Sequence, residues 1–173
     1  MLGSETAAGN FPVQAVATCA AICANAEQAE NSYAAFAFLR DFSAKPFSTL
    51  EAVTSTVSKM VTDTGATLVV CISQSGAAAR GIAKYHPPVP VVVVTATVHT
   101  TIECTTAYGL LPVLVDTLHV GVPSLVATAL AAAAAAGAYT SGSGPIVLCH
   151  GVNEVDSDDD PMLRTIVHFD DLR

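Results

Sequence analysis

The chain has 173 residues, of which 51% are hydrophobic and 13% charged, and a formal net charge of −8. That length and composition suit one α/β domain with a sizeable core, or one domain plus a short appendage, and leave little room for disorder outside the ends. Seven basic residues (Arg40, Lys45, Lys59, Arg80, Lys84, Arg164 and Arg173) are spread thinly and form no patch, which argues against nucleic acid or an anionic membrane as a partner.

The mean hydropathy of +0.51 invites a membrane reading that the pattern does not support. The longest apolar run, Val122 to Ala136, is mostly alanine between Gly121 and Gly137, and is shorter than the roughly 20 residues of a spanning helix. Ala15 to Ala26 resembles the core of a signal peptide, yet no basic region precedes it and Glu5 stands there instead. The expected location is the cytoplasm. Five cysteines (Cys19, Cys23, Cys71, Cys104 and Cys149) sit mostly in apolar segments, as small core residues of a reducing compartment do. Cys19 and Cys23 share a helix face, but no second Cys/His pair stands at ligand spacing.

In chain order, Met1 to Asn10 has no period and reads as loop. Phe11-Pro12 opens a helix to about Asn31, with proline suited to the first turn, and Tyr33 to Leu39 makes a second. Ser43 to Pro46 is the expected boundary between an appendage at 1–45 and a main domain at 46–173. Ser48 and Glu51 form a capping box for a helix to Asp63, which Gly65 stops. Leu68 to Ile72 is a strand buried on both faces, and Ser75-Gly76 starts a helix to Tyr85. Then come a strand from Val89 to Thr95, a helix from Val98 to Tyr108 and a short strand from Pro112 to Val115. An alanine-rich helix follows from Pro123 to Ala136, with strands at Ile146 to Cys149 and Leu163 to Phe169. This alternation predicts a three-layer α/β fold: a mostly parallel five-stranded sheet, helices on both faces, and an antiparallel edge strand last.

The turn after the first strand is where chemistry concentrates. Over Ser73, Gln74, Ser75, Gly76, Ala77 and Ala78, a buried strand gives way to a tight turn and a helix start. Unpaired backbone N–H groups converge there, and Ser73 and Ser75 add hydroxyls, which together suit a phosphate. The same residues equally suit a plain helix cap. Gly76 and Gly81 have P-loop spacing, but Ile82 replaces the lysine. The acidic run Glu154 to Asp160 lacks the pattern of a calcium loop and reads as a solvated loop. Five histidines (His86, His99, His119, His150 and His168) show no metal-ligand spacing, and no G-x-S-x-G elbow is present. No catalytic residue, metal or cofactor is expected from these patterns.

Several segments in order resemble the pyruvate kinase family. Met1-Leu-Gly-Ser-Glu-Thr-Ala-Ala-Gly9 with Phe11-Pro12-Val13 is similar to the family's M-L-S-G-E-T-A-x-G-x-(Y/F)-P-V signature, with Gly and Ser transposed. Ala20 to Ala29, Ser48 to Val53, Val70 to Thr95 and Tyr108 to Val113 also match in family order. The resemblance implies the family's C-terminal α/β domain preceded by the tail of its catalytic barrel. Such a barrel needs about 250 residues, so the expectation is a regulatory module without a catalytic centre. The resemblance further implies that Ser73, Gln74, Ser75 and Gly76 meet a phosphate of a sugar bisphosphate effector. Ala77 and Ala78 replace a cationic and a hydroxyl residue of the family, and the acidic run at 154–160 replaces its closing loop. Both departures weaken phosphate binding. The alternative is an interaction subunit, pairing with its own copies or with a pyruvate kinase chain through Leu163 to Phe169 and Val120 to Val126, and active only where another chain supplies the barrel.

Overall fold

The computed structural model describes residues 1–151 and the backbone of a strand at 161–167. The acidic run Glu154 to Asp160, and His168 and Phe169, lie outside the described residues. Packing divides the chain into two units, Met1–Asn31 and Ser32–Arg173. The first holds a single turn, α1 (Ser4–Ala7), and a long helix, α2 (Pro12–Ala29), with Pro12 in its first turn.

The second unit opens with α3 (Ser32–Phe42) and α4 (Thr49–Thr64), so the Ser43 to Pro46 segment lies inside it. The reason is that α3 belongs to the body: buried Phe36 packs on the Tyr85 ring with centroids 5.5 Å apart. Five strands and three further helices follow: β1 (Leu68–Ile72), α5 (Ala77–Ala83), β2 (Val91–Thr95), α6 (Val98–Cys104), β3 (Leu110–Leu114), α7 (Val122–Ala135), β4 (Ile146–Gly151) and β5 (Pro161–Val167). The sheet order is β3-β2-β1-β4-β5. The first four of these strands run parallel, and β5 pairs antiparallel with β4, with a register shift at Val147/Leu148.

Alternation along the strands sorts the core into two layers. Val69, Cys71, Val91, Val93, Val147 and Cys149 face α4 and α5, among Val57, Val61, Ala79 and Ile82. Leu68, Val70, Val92, Val94, Ile146 and Leu148 face α7, against Leu125, Val126, Ala129 and Ala133. Strand β1 is apolar along its whole length, and β2 up to Thr95, because both of their faces are covered. Each valine fully withdrawn from water contributes about 1.5–3 kcal/mol. The alanines of α7 let that helix lie close to the sheet.

Helix ends explain most departures from the expected boundaries. Gly65 closes α4 with φ 65°, as its position after Thr64 predicts. Helix α6 stops at Cys104, not Tyr108, because bonds three residues back take over: Thr105 N–H to Ile102, Thr106 N–H to Glu103, Ala107 N–H to Cys104. Thr105 and Thr106 add hydroxyl bonds to the same Ile102 and Glu103 carbonyls. Strand β3 begins at Leu110, two residues before Pro112, since Val91 N–H already bonds the Gly109 carbonyl.

The capping box is half formed. Ser48 Oγ accepts the Glu51 N–H at 3.1 Å, but the Glu51 carboxylate turns to α5. Lys84 Nζ donates to it at 2.6 Å, and the Tyr85 hydroxyl donates to the same oxygen. Lys84 also reaches Ser43 Oγ at 3.0 Å, so one clasp ties the end of α3, the start of α4 and the end of α5. Burial pushes the Glu51 carboxyl up, but the Lys84 and Tyr85 hydrogen bonds and the Lys84 charge outweigh it and hold it below its ordinary value. A depressed carboxyl stabilises the fold above the unfolded pKa, and that share is lost as pH falls through the folded value. Glu51→Gln is therefore expected to cost about 0.5–1 kcal/mol at neutral pH, a range set by a partly solvated ion pair. Urea titrations should show the gap from the parent closing below about pH 4, and a gap constant down to pH 3 would reject the assignment.

Candidate functional site

The strand order determines where a ligand would sit. From β1 the chain crosses by α5 to β2 and then β3, and α7 returns it to β4 on the other side of β1. Between β1 and β4 the connections therefore diverge, and the crevice beyond the carboxyl ends of those strands is the usual ligand position of open α/β sheets. The turn Ser73–Gly76 leaves β1 at this point, and buried His150 is the next-to-last residue of the neighbouring β4. His150 Nδ1 lies 2.8 Å from the Gly151 carbonyl oxygen.

Within the turn, Ser73 continues the ladder, donating its N–H to Val94 O at 3.0 Å. Its buried Oγ accepts the Gly76 N–H at 2.9 Å, and Ser75 Oγ accepts the Ala77 N–H at 3.3 Å. Two of the amides that would meet an anion are thus bonded to the turn's own hydroxyls. Gly76, with φ 74°, occupies the cap position of α5, so the helix starts at Ala77 and not at Ser75. A Cβ on Gly76 would stand 2.8 Å from the Thr100 methyl and 3.0 Å from Arg80 Nη1. Only glycine fits both the angle and the space.

The predicted residues separate by exposure. Gln74 and Ser75 face solvent and Ala77 is half-buried, whereas Ser73, Gly76 and Ala78 are buried, Ala78 in the core under the sheet. Residues not singled out from sequence complete the site. Thr100 Oγ1 and Thr95 Oγ1 donate to the Gln74 carbonyl at 2.8 and 3.3 Å, and Thr97 N–H donates to Thr95 Oγ1 at 3.2 Å. Arg80 Nη1 donates to the Ser75 carbonyl at 3.1 Å and to Glu103 Oε2 at 2.8 Å. His99 Nε2 stands 3.1 Å from the other Glu103 oxygen. The available sequence signal was positional: Arg80 lies four residues past Gly76 on α5, and Thr95 ends the strand next to β1.

Burial is the chief cause pushing the Cys104 thiol up, with Arg80 opposing and Glu103 adding to it, so this cysteine behind Gly76 is kept as an unreactive thiol. Among the described residues no group of three or more His, Cys, Asp or Glu side chains is placed to hold a metal. An open groove of about 720 Å³ in the first unit is lined by Met1, Leu2, Phe11 and Ile22 and carries little polar chemistry. No helix among the described residues is long and apolar enough to cross a membrane.

Fold and loop together define a parallel α/β domain with a small hydroxyl-bearing turn at its switch point. The family model for "Pyruvate kinase, alpha/beta domain" matches residues 51–164, and the chain belongs to the pyruvate kinase family. Pyruvate kinase of Dictyostelium discoideum is 36% identical over 157 residues, covering 89% of this chain and 31% of that protein. Pyruvate kinase 2 of Candida glabrata is 41% identical over 95 residues, 55% of this chain and 19% of that protein. The structure of Cryptosporidium parvum pyruvate kinase in complex with ADP superposes with a TM-score of 0.85 at 28% identity, over 96% of this chain and 33% of that one. This chain thus spans about a third, or less, of the relatives it matches.

The geometry ranks the loop residues. Gly76→Ala should cost about 2–4 kcal/mol from the left-handed angle and the Thr100 contact. Ser73→Ala should cost about 1–2 kcal/mol by orphaning a buried amide, and Ser75→Ala, at the surface, less than about 0.5 kcal/mol. Chemical denaturation of the three variants checks the order; equal losses for the two serines would contradict it.

Proposed function

We propose that the domain is a non-catalytic regulatory module of a pyruvate kinase, whose Ser73–Ala78 loop takes phosphorylated small molecules weakly. The observation that carries this reading is the position of the loop at the carboxyl end of the central strand, beside the switch point, with Gln74 and Ser75 open to solvent. Weakness follows from the bonds inside the turn. A phosphate must displace the Ser73 and Ser75 hydroxyls from the Gly76 and Ala77 amides, and Arg80 already shares its charge with Glu103. Ala77 offers no cation where the family carries one. On this reading, phosphoryl transfer from phosphoenolpyruvate to ADP belongs to the barrel of the whole family enzyme. All five cysteines are free, which supports a cytoplasmic setting.

A second reading, pairing with a further copy or with a pyruvate kinase chain, draws on β5, which ends the sheet order among the described residues.

Calorimetric titration with fructose 1,6-bisphosphate and other phosphometabolites should give weak binding. Ala77→Arg should tighten it by about tenfold or more, the worth of one charge-assisted hydrogen bond. No heat from any phosphometabolite with either chain removes the ligand claim. Turnover of phosphoenolpyruvate and ADP by the purified chain, with magnesium and potassium and contamination excluded, removes the non-catalytic one.

A further inference from the structure

The opposite edge of the sheet carries its own chemistry. Strand β3 ends the order β3-β2-β1-β4-β5, so one of its sides meets no strand among the described residues. Leu111, Pro112 and Val113 are half-buried, and Leu114 is 50% exposed. From Gly109 to Val115 the sequence GLLPVLV holds no charged residue and is rich in strand formers. An apolar, uncharged edge of this kind is a pairing hazard unless something interrupts it.

The ladder shows which groups point outward. Val91 N–H bonds Gly109 O, and Val115 N–H bonds Thr95 O, each at 2.9 Å. In a parallel pair, the residues whose backbone groups face the neighbouring strand recur at every second position. Counting back from Val115, positions 113 and 111 face β2, and positions 110, 112 and 114 face away from the sheet. Pro112 stands in the middle of that outward row, opposite Val93. It has no N–H, and its ring fills the space where a partner carbonyl would approach.

Consider two copies meeting antiparallel about a two-fold axis through position 112. Residue 112 would pair with its own counterpart, and 110 with 114. Both bonds of the central pair require an N–H at 112, so proline removes them together. The usual alternative guards, a lysine or an inward charge, are absent from the segment. We propose that Pro112 is the residue that keeps the β3 edge from pairing with the same edge of a second copy, which leaves β3 closed as an association surface.

The test is the oligomeric state of the full chain by sedimentation velocity across a concentration series. Pro112→Val restores the outward N–H and should raise the apparent self-association constant by at least about tenfold. Adding Leu114→Lys to that variant places a charge on the same edge and should return it to the parent's behaviour. Pro112→Ala, the smaller change, should shift in the same direction and decides the matter if Pro112→Val does not fold by circular dichroism. Folded variants that associate no more than the parent overturn the proposal, as does association that Leu114→Lys leaves unchanged.

Discussion

Everything in the second unit is referred to β1, a strand paired on both sides and covered on both faces. Its neighbours β2 and β4 hold it in register at Val69↔Val91 and Val69↔Val147, and all five of its residues are buried. A one-residue slip would exchange Val69 and Cys71 for Leu68 and Val70 under α4 and α5, and the two core layers differ in composition too much to absorb it. Because the register is held, the point where the chain leaves the sheet at Ser73 is held as well. The turn needs no scaffold of its own.

Around that strand, polar contacts settle how the helices attach. The clasp of Ser43, Glu51, Lys84 and Tyr85 joins three helices through the Lys84 ammonium, and Phe36 adds apolar area against Tyr85. These contacts are part-buried or exposed, so each is worth little alone and the clasp specifies arrangement more than it adds stability. The apolar burial is carried by the strand valines together with larger side chains such as Leu68, Ile82, Leu125 and Ile146.

Much of the fold was legible because burial on both faces writes a plain signal. Leu68 to Ile72 was bounded to the residue, as continuous β-branched runs permit. The parallel α/β class followed from the strand–helix alternation. The start of α5 was misplaced by two residues, since nothing local distinguishes a serine cap from a glycine in a left-handed turn. The extra length expected of α6 came from reading Thr105 to Tyr108 as helix, where threonine hydroxyls bonding back to the chain tighten it instead. At the candidate site, the residues contiguous in sequence were legible and those arriving from β2 and α6 were not. Thr95, Thr100 and Glu103 reach the turn only through sheet pairing and helix packing, which no local pattern records. The divided role of Glu51, cap in its amide and ion pair in its carboxylate, likewise needed α5 to be in place.

The carbonyl of Gln74 is gripped by two hydroxyls from the adjoining β2–α6 connection, while Gly76 lies flush against the Thr100 methyl. Two consecutive βα corners therefore share a hinge plate. Displacing the first corner would stretch the Thr95 and Thr100 bonds to Gln74 and disturb the Arg80 side chain that joins Ser75 to Glu103.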